Sequence, residues 1–214
     1  MMLDPAVSKV GIDAPFGWPL AFIDAISAYR DNGKWLDLEA NELRFRATDH
    51  VVSQRTGQVP LSVAVSDLAW PAMRCARLLS AIAEETGALD RTGAGRVAEV
   101  YPMAALRQWG VIAAGTPPPE WSYKGDGPGR LERREQHLRA LRDLLNDTVR
   151  ISDECAAICV ADDDDFDALI SALVARAVEL SLTDPIPKGM RWAAVREGWI
   201  HLPTAQGVSQ LARR

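Results

Sequence analysis

The sequence predicts an α/β fold, a sheet flanked by helices, and two observations carry the prediction. Two short β-type runs each carry an acid and are closed by proline: Val7 to Asp13, with Pro15 just beyond, and Arg96 to Pro102, which contains Glu99. Around them lie segments whose apolar residues recur at helical spacing. The 214 residues, 48% hydrophobic and 25% charged, are ordinary globular values, and we read residues 1–214 as a single domain with a proper core.

The elements follow in order. After the first strand, Ala14-Pro15-Phe16-Gly17-Trp18-Pro19 breaks the pattern as a tight loop. Phe22, Ile23, Ile26 and Tyr29 then recur as one face of a helix, with Asp31-Asn32-Gly33 as its stop. Leu43 to Pro60 is polar and basic without clear periodicity, and reads as a functional loop in which Arg46, Asp49 and Arg55 either bind substrate phosphate or tie down their own segment. Ser66-Asp67 offers an N-cap for a long helix in which Leu68, Met73, Ala76, Leu79 and Ile82 or Ala83 share a face, ending near Gly87.

Beyond the second strand, Thr116 to Arg130 is rich in proline and glycine and reads as an excursion from the core. Lys124 within it is a further candidate for substrate contact. Leu131 to Asn146 forms a helix with Leu131, Leu138, Leu141 and Leu145 on one side, and Arg133, Arg134, Arg139 and Arg142 among acids on the others, a solvated charged face with phosphate contact as the lesser alternative. Five aspartates between Asp162 and Asp167 open another helix, and Pro185 and Pro187 end helical structure before a final strand or packed loop at Glu197 to Pro203.

Composition excludes several classes of function. A net charge of −5 argues against a protein that coats nucleic acid, although an enzyme that grips phosphates through metal ions can be acidic overall. Cys75, Cys155 and Cys159 have no CxxC spacing and read as reduced core residues rather than a zinc site or disulfide framework. No signal-peptide pattern and no run of about 18 apolar residues is present, so the expected compartment is the cytoplasm, with no membrane partner. No nucleophile elbow or Walker loop occurs. Gly93-Ala94-Gly95-Arg96-Val97-Ala98 fits a dinucleotide pattern only superficially, because it precedes a strand instead of following one. Trp70, Trp192 and Trp199 read as core or rim packing rather than as platforms for bases.

The acids carry the remaining chemistry. One or two acids suffice to cap a helix start, and the run at 162–167 exceeds that need. Crowded carboxylates need screening, and hard cations such as Mg²⁺ and Mn²⁺ prefer oxygen ligands. Asp164 and Asp167 share a helical face, as do Asp163 and Asp167. Strand C-termini of a parallel sheet gather at one edge, so Asp13, Glu99, Asp164 and Asp167 form a candidate catalytic set, with Asp13, Asp164 and Asp167 as metal ligands. Structural roles stay open beside this: Asp13 as a cap for the loop before Pro15, Glu99 as the partner of Arg96 or Arg46.

Gly11-Ile12-Asp13-Ala14-Pro15-Phe16-Gly17-Trp18-Pro19, Arg46-Ala47-Thr48-Asp49, Glu99-Val100-Tyr101-Pro102, Phe166-Asp167-Ala168-Leu169 and Glu197-Gly198-Trp199-Ile200 together resemble domain-of-unknown-function family 429, described as predicted nucleases of ribonuclease H-like fold. The resemblance runs from about Val7 to Pro203 with the motifs in order. It implies a central mixed sheet between helices and an acidic site of the RuvC resolvase type, with Asp13 ending the fourth strand, Glu99 at the fifth, and Asp164 or Asp167 opening the last helix. It also implies three earlier strands, the first bearing an acid, with no counterpart in the residues before Gly11, so an N-terminally truncated or misassigned start is expected. The implied function is Mg²⁺- or Mn²⁺-dependent cleavage of nucleic-acid phosphodiester bonds, with Arg46, Arg55 and Lys124 binding substrate, in a chain that lacks one expected acid. The alternatives are a non-catalytic binding or scaffold protein of the same fold, or an actin-like phosphotransferase using Gly93 to Gly95.

Overall fold

A computed structural model describes residues 4, 6–31, 33–35, 37–87, 89–113, 115–117, 120–146 and 149–212. In chain order it holds β1 (Val10–Ile12), α1 (Leu20–Arg30), α2 (Ala40–Arg44), α3 (Ala47–Thr56), α4 (Ala69–Thr86), β2 (Val97–Glu99), α5 (Pro102–Gln108), α6 (Arg130–Leu145), α7 (Asp153–Ala161), α8 (Asp163–Glu179) and α9 (Arg191–Glu197). It is an α/β chain in which helix predominates. No helix among the described residues is long and apolar enough to cross a membrane. The chain divides into two compact units, one of Met1–Glu99 with Pro185–Ile200, the other of Val100–Asp184 with His201–Arg214.

In the first unit, β1 and β2 pair in parallel, with Val10 opposite Val97, Gly11 opposite Ala98 and Ile12 opposite Glu99. Ile200 bridges Glu99 in the parallel sense, so β2 lies between two neighbours. That position explains why all three β2 residues are buried, the carboxylate included. The expected missing strands concern the segment from Met1 to Val10, of which Met1, Met2, Leu3 and Pro5 lie outside the described residues. Asp4, Val7 and Lys9 meet the turn before β2: the Lys9 ammonium donates to the Gly93 and Gly95 carbonyls, and Arg96 donates to Asp4 O and Val7 O at 2.6 Å each.

The polar stretch from Leu43 to Pro60 is not a loop. It folds mostly as α2 and α3, and α3 buries Thr48, Asp49 and Val52. A buried face that is two-thirds polar leaves no apolar periodicity to read, while the stop, Gly57 at φ +69°, is an ordinary left-handed helix end. α4 ends at Gly87 as expected, but its inward stripe is Ala72, Cys75, Leu79 and Ile82, and Met73 is half exposed. Cys75, Leu79 and Ile82 of that stripe pack with Phe16 and Val97 in this unit's apolar cluster. Ser66-Asp67 does not supply the cap: Leu68 holds that position, without a side-chain bond.

The second unit is helical around a larger core that includes Leu106, Leu141, Leu145, Phe166, Ile170 and Val174. α8 begins as expected, with the Asp162 carboxylate accepting from the Asp164 and Asp165 amides. α6 departs from its expected pattern at both faces. Leu131 is half exposed, and Arg134, placed on the solvated face by sequence, is 2% exposed. Its guanidinium donates to the carbonyls of Tyr123, Gly125, Val160 and Ala161, closing the proline- and glycine-rich excursion and the end of α7 onto α6. Pro118 and Pro119 of that excursion, like Asn32 of the first helix stop, lie outside the described residues.

Candidate functional site

In the first unit, a buried charged cluster surrounds Arg46. Its Nη2 lies 2.9 Å from Asp49 Oδ1 and its Nη1 2.8 Å from Glu99 Oε1, with all three side chains nearly sealed from solvent. Nη1 also donates to the Glu197 carbonyl at 3.2 Å, and the Phe16 amide donates to Glu99 Oε2 at 3.1 Å. One guanidinium thus serves two carboxylates. Burial pushes the Glu99 carboxyl up to about 7, against the pull of Arg46 and with Asp49 adding to the rise. Burial alone would lower Arg46, but Glu99 and Asp49 outweigh it and hold the guanidinium above its ordinary value.

Glu197 completes the cluster from the C-terminal side. Its carboxylate accepts from the Leu20 amide at 2.9 Å and the Ala47 amide at 2.8 Å, the first residues of α1 and α3. One acid therefore caps two helices, where orphan amides and the positive ends of both dipoles favour a negative charge. The Ile200 amide donates to the Thr48 hydroxyl at 2.8 Å. Gly198 sits at φ +89° and ψ 170°, and a Cβ there would meet Glu99 Oε2 and the Phe16 side chain. Four of the motifs that sequence singled out, around Asp13, Arg46, Glu99 and Glu197, thus lie on one cluster.

A family model for proteins of unknown function, DUF429, matches residues 2–190. The chain belongs to that family. No curated protein and no solved structure matches it.

The remaining expected site residues of this DUF429 protein fall into place as follows. Asp13 follows β1 directly and is exposed, and Arg55 is exposed in the last turn of α3, where the helix dipole favours a cation. Arg46 is buried and engaged with Asp49, Glu99 and a carbonyl, so it ties its segment down instead of facing a substrate. The Gly93–Gly95 turn is closed by its own acid: Asp90 accepts from the Thr92 amide and hydroxyl and from the Gly95 amide, which occupies donors a phosphate would need.

In the second unit, Asp167 is buried at the start of α8. Its Oδ1 accepts from the Tyr123 hydroxyl at 2.6 Å and its Oδ2 from the Lys124 ammonium, which lies 3.8 Å from Asp163. Of the two acid pairs legible in sequence, the structure brings together Asp163 with Asp167, one helical turn apart; Asp164 is exposed and its amide serves the Asp162 cap. Tyr123, fully buried against Phe166 and His137, was not singled out, although its place beside Lys124 was the available signal.

These residues differ in their fitness for a metal ion. Glu99 does not fit: both its oxygens are committed and it is 2% exposed. Asp163 and Asp167 fit better, because their shared face already holds a cation in the form of Lys124, whose side chain is 46% exposed. Within neither unit, among the described residues, do three or more His, Cys, Asp or Glu side chains form a metal-holding group.

Proposed function

We propose that this DUF429 protein is a Mg²⁺- or Mn²⁺-dependent phosphodiesterase of nucleic acid, with its metal held on the Asp163 and Asp167 face of α8. The observation that carries the reading is the single positive charge gathered by that pair, since an ammonium between two carboxylates marks where a small cation is favoured. Mg²⁺ commonly takes only one or two carboxylates from protein and completes its shell with water and substrate phosphate, so two acids are a sufficient protein share. Such an ion, when bound, supplies an activated water and offsets charge developing on the phosphodiester.

The chain's own groups would do the rest. The Tyr123 hydroxyl fixes the rotamer of Asp167 and leaves Oδ2 as the oxygen that faces a cation. Lys124 then serves as a point charge for a phosphate oxygen. In the first unit, Glu99 and Arg46 build the scaffold.

The test is Mn²⁺ binding by calorimetry, with cleavage of labelled single-stranded DNA and RNA. Wild type is expected to bind and cleave, with both lost in Asp167→Asn and weakened in Asp163→Asn. Unchanged Mn²⁺ affinity in both variants would remove the site. The commitment of Glu99 within the fold favours a second reading, a non-catalytic binding protein of the same family. Nucleic-acid binding with no Mn²⁺-dependent cleavage at any tested concentration would select it.

A further inference from the structure

We propose that the exposed strip formed by Lys188, Arg191, Trp192 and Arg196 is a docking surface for single-stranded nucleic acid, with a base stacking on Trp192. The proposal rests on the reading that the substrate is nucleic acid, and adds where the strand is held and in what form.

Three observations converge. First, Lys188-Gly189-Met190-Arg191-Trp192-Ala193-Ala194-Val195-Arg196 contains three cations and no acid, in a chain of net charge −5. All three cations are exposed, so the strip is a local positive field on an acidic protein. Second, Trp192 is 63% exposed and the neighbouring Val195 is also open to solvent. The buried side of α9 is taken by Ala194 and Glu197, which leaves Trp192 on the outward side. Third, the Arg196 guanidinium lies 4.7 Å from the Trp192 ring centroid, and its Nη1 donates to the Trp192 carbonyl at 3.1 Å. The ring is thus held by a cation on one side, an arrangement that orders it in advance of a ligand.

The occupant follows from the chemistry. Cations alone would suit any acidic partner, but an exposed indole among them suits a polyanion that also offers flat π faces. Duplexes keep those faces inside their stacks, so a single strand is the form that can use Trp192. The strip is also firmly mounted. Glu197 ties the end of α9 to the first amides of α1 and α3, and Gly17 lies so close beneath α9 that a Cβ would stand 2.8 Å from the Arg196 carbonyl.

The experiment is fluorescence anisotropy of a labelled oligothymidylate with the full chain in EDTA, where no metal-dependent cleavage occurs. Three phosphate contacts predict a salt slope of about −2, or roughly 20-fold weaker binding between 50 and 200 mM salt. Lys188→Ala with Arg191→Ala should cut the slope to about −0.7. Trp192→Leu should weaken binding by roughly fivefold or more, and Trp192→Phe should retain most of it. All these positions are exposed, so a melting curve should match wild type. Wild-type affinity in both Trp192→Leu and the double variant overturns the proposal, as does equal competition by a poly-glutamate peptide or tighter binding of a duplex. The measurement needs no divalent ion, so its failure leaves the Asp163 and Asp167 reading standing, and loss of that reading leaves this one.

Discussion

Gly198→Ala tests the buried cluster most directly. At φ +89° and ψ 170° the backbone occupies a region that is essentially restricted to glycine, at a cost of about 1–3 kcal/mol for any other residue. The added Cβ would also lie 2.7 Å from Phe16 Cβ and against Glu99 Oε2, where neither neighbour can yield cheaply. Overpacking of this kind costs about 1–3 kcal/mol. Displacing Glu99 from Arg46 adds a share of the roughly 3–5 kcal/mol lost when a buried pair is broken. The first two contributions alone come to about 4 kcal/mol at the middle of their ranges, against typical domain stabilities of about 5–15 kcal/mol. Gly57→Ala is the control: Gly57 also has positive φ, at +69°, but its Cβ would meet nothing within 4 Å, so about 1 kcal/mol is expected. Urea unfolding followed by circular dichroism reads both. A Gly198→Ala loss no greater than that of Gly57→Ala would show that the cluster is not sterically closed, and would refute the reasoning.

Further predictions concern charge and polar burial. The Glu99 carboxyl is raised to about 7 in the fold from 4.5, so the folded state binds its proton more tightly between those values. This group's contribution is therefore most favourable below about pH 4.5 and declines by roughly 3 kcal/mol as pH rises to 7, and Glu99→Gln should flatten that part of the stability profile; identical profiles in the two proteins would exclude it. Arg134→Met removes the donor to four carbonyls and should lower stability by about 3 kcal/mol or more, read as a drop in urea midpoint. Tyr123→Phe should destabilise by about 1–3 kcal/mol and weaken Mn²⁺ binding roughly 10- to 100-fold, since it removes the hydroxyl that orients Asp167. Calorimetry showing unchanged Mn²⁺ affinity would separate Tyr123 from the site.

The parts of the fold that were legible in sequence are those whose signals are local. Gly87 and Asp162 announce a helix end and start through their own backbone and side-chain chemistry, and the short strands at Val10–Ile12 and Val97–Glu99 show as β-type runs bounded by proline. α3 was missed because its inner face is Thr48 and Asp49 as well as Val52, so burial there follows hydrogen bonding and not hydrophobicity. Arg134 was placed in solvent for the converse reason: a charge normally marks the surface, and only the four carbonyls around it make the interior acceptable. Trp192, read as core or rim packing with Trp70 and Trp199, is 63% exposed, because an apolar indole alone does not say which face of a short helix it takes. The role of Glu197 leaves no trace, since its partners are amides, present at every residue but proline.

The bonds around Glu197 span unusual distances along the chain. They join it to Leu20 and Ala47, 177 and 150 positions away, and Arg46 reaches back to its carbonyl across 151. During synthesis, the Leu20 and Ala47 amides leave the ribosome without this partner and wait for the 177 and 150 positions that separate them from Glu197. At about 5–20 residues per second that interval is on the order of ten seconds or more, during which the first unit is exposed to proteases and to wrong partners. A chain that stopped before Glu197 would leave both helices without that cap, so the last turn of α9 closes the starts of two helices laid down long before it.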